Sequence, residues 1–183
     1  NGSAFNQTYT VSGNAEILIQ QSNFEAPLTV GVFESANGYL NHINIFDGDV
    51  TLSNAGVGTL YTAANITTAQ NKFRGSLTLN GSGAIRPNYL GLDSLLQNLT
   101  VNSSNVICGA GSSGPRAFYM KGSGTQTIGG TTTAQPQFYN FFANQSSVND
   151  HVQLNMPITI NEGITAMRGV IDLNANILTV NNS

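Results

Sequence analysis

Asp47 and Asp49, in the segment FDGDV, are the one close pair of carboxylates in this chain. Glycoside hydrolysis works with two carboxyl groups about 5 to 9.5 Å apart, one acting as acid and the other as base or nucleophile. Alternation along an extended strand would put both on one side, so the pair meets the first requirement of that chemistry. The same residues offer two oxygen ligands to Ca²⁺, which takes about six to eight. A polar turn explains them with no chemistry at all. His42 in LNHINI and His151 in NDHVQL each open an apolar stretch, with no second His or Cys at metal-ligand spacing. Gly122, Gly124, Gly129 and Gly130 precede no helix, so a phosphate loop is unsupported. Cys108 is the single cysteine and makes no disulfide framework; VICG reads as the buried end of a strand. These groups form no convergent catalytic set, and no cofactor is implied. The expected protein is not an enzyme.

Binding chemistry is better represented. RAFYM (116–120) and FYNFF (138–142) are the densest aromatic segments. Rings that stack on sugars, with cations and amides reading the hydroxyls, would make Tyr119 and Tyr139 the ligand contacts and Arg116 and Lys121 their polar partners. Strict alternation in FYNFF would bury Phe138 and Asn140 with Tyr139 and Phe141 outward, or the reverse. Residues 108–136 are Gly-rich and poorly periodic, and are expected to form an irregular insertion that carries the site. Thr125, Thr127 and Thr131–Thr133 raise the idea of an ice-binding array, but regular Thr-x-Thr pairs on every repeat are missing.

The elements that must position these residues follow from composition. Only 8% of the 183 residues are charged, against roughly a quarter in an ordinary soluble domain. Twenty-four asparagines, 20 glycines and many Ser and Thr supply the polarity instead. That surface disfavours long exposed helices, which need Glu, Lys, Gln and Arg outside. Hydrophobic content of 40% and a net charge of −3 disfavour disorder. Six Lys and Arg spread along the chain make no basic stripe, which argues against nucleic acid as a partner. No apolar run is long enough to span a membrane.

The apolar signal is short and alternating. AEILIQ (15–20), LTVGVF (28–33), INIF (43–46), VTLS (50–53), SLTL (76–79), LTV (99–101), AFYM (117–120), VQL (152–154), ITI (158–160), VIDL (170–173) and ILTV (177–180) all read as strands. YLGLDSLL (89–96) is the best helical stretch, a turn or two at most. An apolar-Thr-apolar-Asn motif ends at Asn80, Asn102, Asn161 and Asn181, with a looser copy at Asn54. NLTVN-SS (98–104) also aligns with NFFANQSS (140–147). One period of roughly 20 to 22 residues accommodates these spacings, which is the mark of a parallel β-helix, or β-solenoid. Stacked parallel strands place like side chains about 4.8 Å apart, where charges repel and amides hydrogen-bond. The four asparagines are the expected left-handed corners. The alternative is a β-sandwich, for which NG at 37–38 and 80–81 supplies hairpin turns. Residues 1–183 read as a single solenoid region whose pattern stops mid-repeat, as an excerpt of a longer chain would.

Residues 137–180 resemble the β-solenoid repeats of Bacteroidota cell-surface proteins exported by the type IX secretion system. The resemblance rests on Phe138–Phe141, the turn Asn144–Ser147, LNMPITI at 154–160, GVID at 169–172 and NILTV at 176–180. It implies a secreted or surface-displayed segment of an adhesin, of gliding-associated type, serving as a stiff stalk and a contact surface. The implied partners are the type IX machinery during export and surface polysaccharide or glycans. Asp93-Ser94-Leu95 also resembles the O-glycosylation sequence of that group, with the sugar on Ser94.

Overall fold

The computed structural model describes residues 7–11, 17–20, 23–24, 27–32, 38–41, 44–62, 71–87, 92–109, 116–131 and 135–181. These short alternating segments have one apolar and one polar side, and a closed sheet would pair each with its sequence neighbour. They coil instead, and each strand pairs in parallel with its counterpart one coil away. The first wall of the coil stacks β1 (Gln7–Val11), β4 (Leu28–Val32), β7 (Val50–Asn54), β10 (Leu77–Asn80), β13 (Leu99–Val101), β16 (Thr125–Gly129), β18 (His151–Leu154) and β20 (Val170–Asp172). The second wall begins with β2 (Ile17–Gln20), β5 (Gly38–Asn41), β8 (Thr59–Thr62) and β11 (Ala84–Arg86). The third contains β3 (Asn23–Phe24), β6 (Ile45–Phe46), β9 (Lys72–Phe73), β12 (Leu92–Leu95), β15 (Ala117–Met120), β17 (Gln137–Asn144) and β19 (Ile158–Arg168). Among the described residues every strand pairing is parallel, so the β-solenoid expectation holds and the sandwich does not.

The second and third walls merge late in the chain. Ile85 bridges to Val106, and β14 (Ile107–Cys108) pairs with the start of β17. Phe138 then lies opposite Ile160, and Ile160 opposite Val180 of β21 (Leu178–Val180). These pairs continue the second wall. The later halves of β17 and β19 continue the third, beyond a register shift between Phe138 and Asn140.

The core is a set of side-chain rows running along the axis. Leu28, Val50, Leu77, Leu99, Ile128 and Leu154 lie one above another, and all are buried. Phe24, Phe46 and Phe73 form a ring stack with centroids 5.2 and 5.0 Å apart. Full burial of one such side chain stabilises the fold by about 1.5 to 3 kcal/mol. Outside the first wall the register lines up Thr29, Thr51, Thr78 and Thr100 in an unbroken row. Unequal coil lengths hide this row from the sequence. Register partners in neighbouring coils lie from 19 to 30 residues apart, not 20 to 22.

Several expectations change with that register. Asn80 and Asn102 are ladder partners on the first wall, 22 residues apart, whereas Asn161 and Asn181 are partners at the end of the second, 20 apart. The motif therefore marks two different walls, and the step between Asn102 and Asn161 is no multiple of one period. NLTVN-SS and NFFANQSS likewise fall on the first and third walls. None of the four asparagines is a left-handed corner: the described non-glycine residues with positive φ are Arg116, Asn174 and Ala175. Gly81 takes that conformation after Asn80, at φ 98°. Residues 92–95, in the stretch that looked most helical, are a strand. Within 108–136, residues 117–120 and 125–129 are regular strands of the third and first walls, so that much of the expected insertion belongs to the coil. Residues 110–115 and 132–134 lie outside the described residues.

Candidate functional site

The outer flank of the third wall carries the sequence-identified binding residues. β15 and β17 are parallel neighbours, so Tyr119 falls opposite Phe142, and their rings stack at 4.8 Å with planes 19° apart. Lys121 follows β15 and sets its Nζ 4.6 Å from the Tyr119 centroid. Phe142 already fills one side of the Tyr119 ring, so the ammonium covers the other. The Arg116 guanidinium carbon lies 4.8 Å from the Tyr139 centroid and also pairs with Glu162, whose second carboxylate oxygen accepts from Asn140 Nδ2 at 2.8 Å. Cation–π contacts of this kind contribute about 0.5 to 1 kcal/mol each at exposed sites. Tyr119, Tyr139, Arg116 and Lys121 are thus brought to one flank.

Their geometry differs from a sugar platform. Rings stacked along the axis present edges to solvent, while a sugar stacks on an open ring face. Phe142, the residue that sequence reasoning missed, closes one face of Tyr119. The register shift between Phe138 and Asn140 explains the miss. It sends Phe138 and Phe141 both into the core and Tyr139 and Phe142 both outward, which neither strictly alternating pattern allows.

The aspartates face across coils. Asp47 Oδ1 accepts from Arg74 Nη1 at 2.7 Å, and Asp49 Oδ1 accepts from the Ser76 backbone N–H at 2.7 Å. Each carboxylate ties its coil to the next one. No group of three or more His, Cys, Asp or Glu side chains that could hold a metal is present among the described residues. His151 begins β18, paired with Thr125 and Val170, and His42 lies outside the described residues. Gly122 is buried, and its N–H donates to Gln126 Oε1 at 2.8 Å. A Cβ there would stand 2.3 Å from the Leu96 carbonyl oxygen. This glycine is therefore a corner that packs against the coil below.

Ser94 is only 7% exposed, in register between Lys72 and Tyr119. A sugar on its hydroxyl would have to displace those two side chains. Its neighbour Asp93 is fully buried and accepts from Thr62 Oγ1, from Asn71 Nδ2 at 3.0 Å and from the Asn71 N–H at 3.1 Å. Asn44 Nδ2 donates to Asn71 Oδ1 at 2.8 Å, extending a polar row inside the corner between the second and third walls. Buried amides plug the other corners as well. Asn54 serves the first with the second, while Gln126 and Gln145 serve the third with the first. Cys108 is buried in the same interior. Burial pushes its thiol well above the ordinary range, Asp93 adds to the rise, and Arg86 partly offsets it. Such a thiol is a packing residue and a poor nucleophile.

No protein-family model, curated protein or solved structure matches this chain. Among the described residues no helix is long and apolar enough to cross a membrane.

Proposed function

We propose that this chain is a stiff, non-enzymatic β-solenoid segment of an adhesin, secreted or displayed at the cell surface, which holds other parts of that protein at a distance. The observation that carries this reading is where the outward polar groups are bonded. Asp47 with Arg74, Asp49 with Ser76, Asn80 with Asn102, and Asn161 with Asn181 all link one coil to the next. Groups used in this way resist extension along the axis, because stretching must break ladder and side-chain bonds together. Export by the type IX machinery and surface location rest on the likeness of residues 137–180 to that family's repeats. Pulling the chain from its two ends with single-molecule tweezers tests the mechanical reading. Coil-sized steps are expected; smooth extension like that of an unstructured chain would remove it.

A glycan contact surface is the second reading, favoured by the gathering of Arg116, Tyr119, Tyr139 and Lys121 on one flank. Because the Tyr119 ring is covered, contact would run through ring edges, amides and cations. Native affinity electrophoresis through a panel of polysaccharides tests it. Retardation lost in Arg116→Ala supports this reading, and unaltered mobility in every gel rejects it.

A further inference from the structure

Lys and Arg are scattered through the sequence, yet the coil gathers Lys72, Arg74, Arg116 and Lys121 on the third wall or at its edges. Carboxylates answer two of them, Asp47 at Arg74 and Glu162 at Arg116. Lys72 and Lys121 are exposed and have no ion-pair partner among the described residues. A chain with a net charge of −3 therefore presents unmatched positive charge in the middle of one wall. Such a local field acts on a ligand whatever the sign of the whole molecule.

The two lysines converge on one small residue. Lys72, Ser94 and Tyr119 are register partners on three successive strands, a step of about 4.8 Å each. Lys121 Nζ stands 4.6 Å from the Tyr119 centroid, on the ring face that Phe142 leaves open, which is the side of Ser94. The second ammonium thus stands near the level of Ser94, about one strand step from the Lys72 row. Ser94 points outward, since Asp93 and Leu95 on either side of it are in the interior. It is nevertheless only 7% exposed, and its hydroxyl has no hydrogen-bond partner among the described residues. Its backbone N–H is already given to Asn71 O at 3.0 Å. A covered hydroxyl that bonds to nothing is costly and calls for a partner. The groups that meet here are two ammoniums and one O–H, all able to donate. An oxyanion satisfies three such donors at once, through short charge-assisted hydrogen bonds.

We propose that Lys72, Ser94 and Lys121 form a site for one oxyanion, the carboxylate or sulfate ester of an acidic polysaccharide. Ser94 donates from the floor of the wall, and the two exposed lysines close over the group from either side. This inference rests on the glycan-contact reading and deepens it by naming the class of glycan. The edges of Tyr119 and Phe142, which stack beside the site, supply the flank on which the sugar ring lies.

The test is affinity electrophoresis of the 183-residue chain in four gels: polygalacturonate, the same polymer fully methyl-esterified, a sulfated galactan, and that galactan desulfated. Retardation by the acidic gels is expected to exceed that by their neutral counterparts at least about tenfold and to fade with added salt. The carboxylated and sulfated gels tell which oxyanion the site takes. Lys72→Gln and Lys121→Gln alter exposed side chains, so their circular dichroism should match the parent, and each should weaken retention about tenfold. Ser94→Ala removes only the hydroxyl and should weaken it several-fold with no change of charge. Arg86→Gln takes the same charge from the second wall and should leave retention as it was. Losses as large in Arg86→Gln as in the lysine variants overturn the proposal, because net charge then governs. Full retention in Ser94→Ala and both lysine variants overturns it as well. Equal retention by acidic and neutral gels rejects the oxyanion site and leaves the glycan reading in place, whereas no retention in any gel rejects both. Stronger retention by duplex DNA than by any polysaccharide would assign the lysines to nucleic acid and overturn the proposal too.

Discussion

Asn71→Leu removes an amide that no pattern in the sequence singles out. Its side chain is fully buried and makes three hydrogen bonds: from Asn44 Nδ2 at 2.8 Å, to Leu40 O at 3.1 Å and to Asp93 Oδ1 at 3.0 Å. Leucine keeps the branched shape but its methyl groups are bulkier, so a packing cost adds to the polar one. What changes is that three buried partners each lose one hydrogen bond, at about 1 to 3 kcal/mol apiece, although Asp93 keeps the Asn71 backbone N–H, and neighbouring losses do not simply add. The expected destabilisation is about 3 to 5 kcal/mol, a large fraction of the roughly 5 to 15 kcal/mol that holds an ordinary domain together. Asn102→Leu is the matched control. Its amide bonds Asn80 at 3.0 Å and the Thr131 N–H at 3.0 Å, but it is half-exposed, and water can replace both partners. That change should cost about 1 kcal/mol or less. Equilibrium unfolding in urea measures both, and hydrogen exchange shows whether the loss stays within the coils that meet Asn71, as a quasi-one-dimensional fold requires. If Asn71→Leu is no more harmful than Asn102→Leu, the buried amides do not hold the corners.

Three further outcomes follow from the same register. Ile160→Asp places a carboxylate in the core between Phe138 and Val180 and should cost at least several kcal/mol, whereas outward Thr159→Asp should shift the midpoint little; equal midpoints in urea would overturn the inward assignment. Gly81→Ala forces φ 98° on a residue with a Cβ that would stand 2.0 Å from the Asn54 carbonyl oxygen, so thermal melting should report a loss of about 2 to 4 kcal/mol. Cys108 keeps its proton in the folded chain at a pH where the unfolded thiol, with a pKa of about 8.5, has ionised. Its contribution is therefore flat below that value and turns against folding above it, by up to about 1.4 kcal/mol per pH unit. Cys108→Ala should abolish that slope, and a thiol reagent should label the native chain only as fast as it opens.

Much of the coil was legible in the residues, because alternation and composition are local properties. LTV, VQL, ITI, VIDL and ILTV each became a strand where they were read, and the scarcity of charge matches stacked rows in which like charges would meet. The strands that escaped notice, such as TLYT (59–62), AIR (84–86) and the pair at Lys72–Phe73, are short or carry a cation, and their neighbours hold them in place more than their own pattern does. Phase was not legible at all. A repeat search assumes a constant step, but a solenoid corner can absorb extra residues without disturbing the walls, so Asn102 and Asn161 look three steps apart while lying on different walls. The Tyr119 flank was half-legible for the same reason. Which residues gather there follows from strand neighbours, but Phe142 turns outward only because of the register shift between Phe138 and Asn140.

That tolerance has a physical source. Between the first wall and the second, Asn54 Nδ2 donates to Gly58 O at 2.8 Å and to Ala84 O at 2.7 Å, while its Oδ1 accepts from the Gly56 N–H at 3.0 Å. One side chain therefore satisfies the corner of its own coil and fastens it to the next. Gln126 does the same across the last corner, bonding Gly122 within its own coil and the Leu95 and Gln97 carbonyls below. A corner closed by a side chain does not depend on the loop outside it having a fixed length. The loop can lengthen at a cost that grows only as the logarithm of its size. Coil-to-coil offsets of 19 and 29 residues can then share one continuous core. The buried Asn and Gln, more than the repeated LTVN-type strands, are what let this sequence vary its period and still stack.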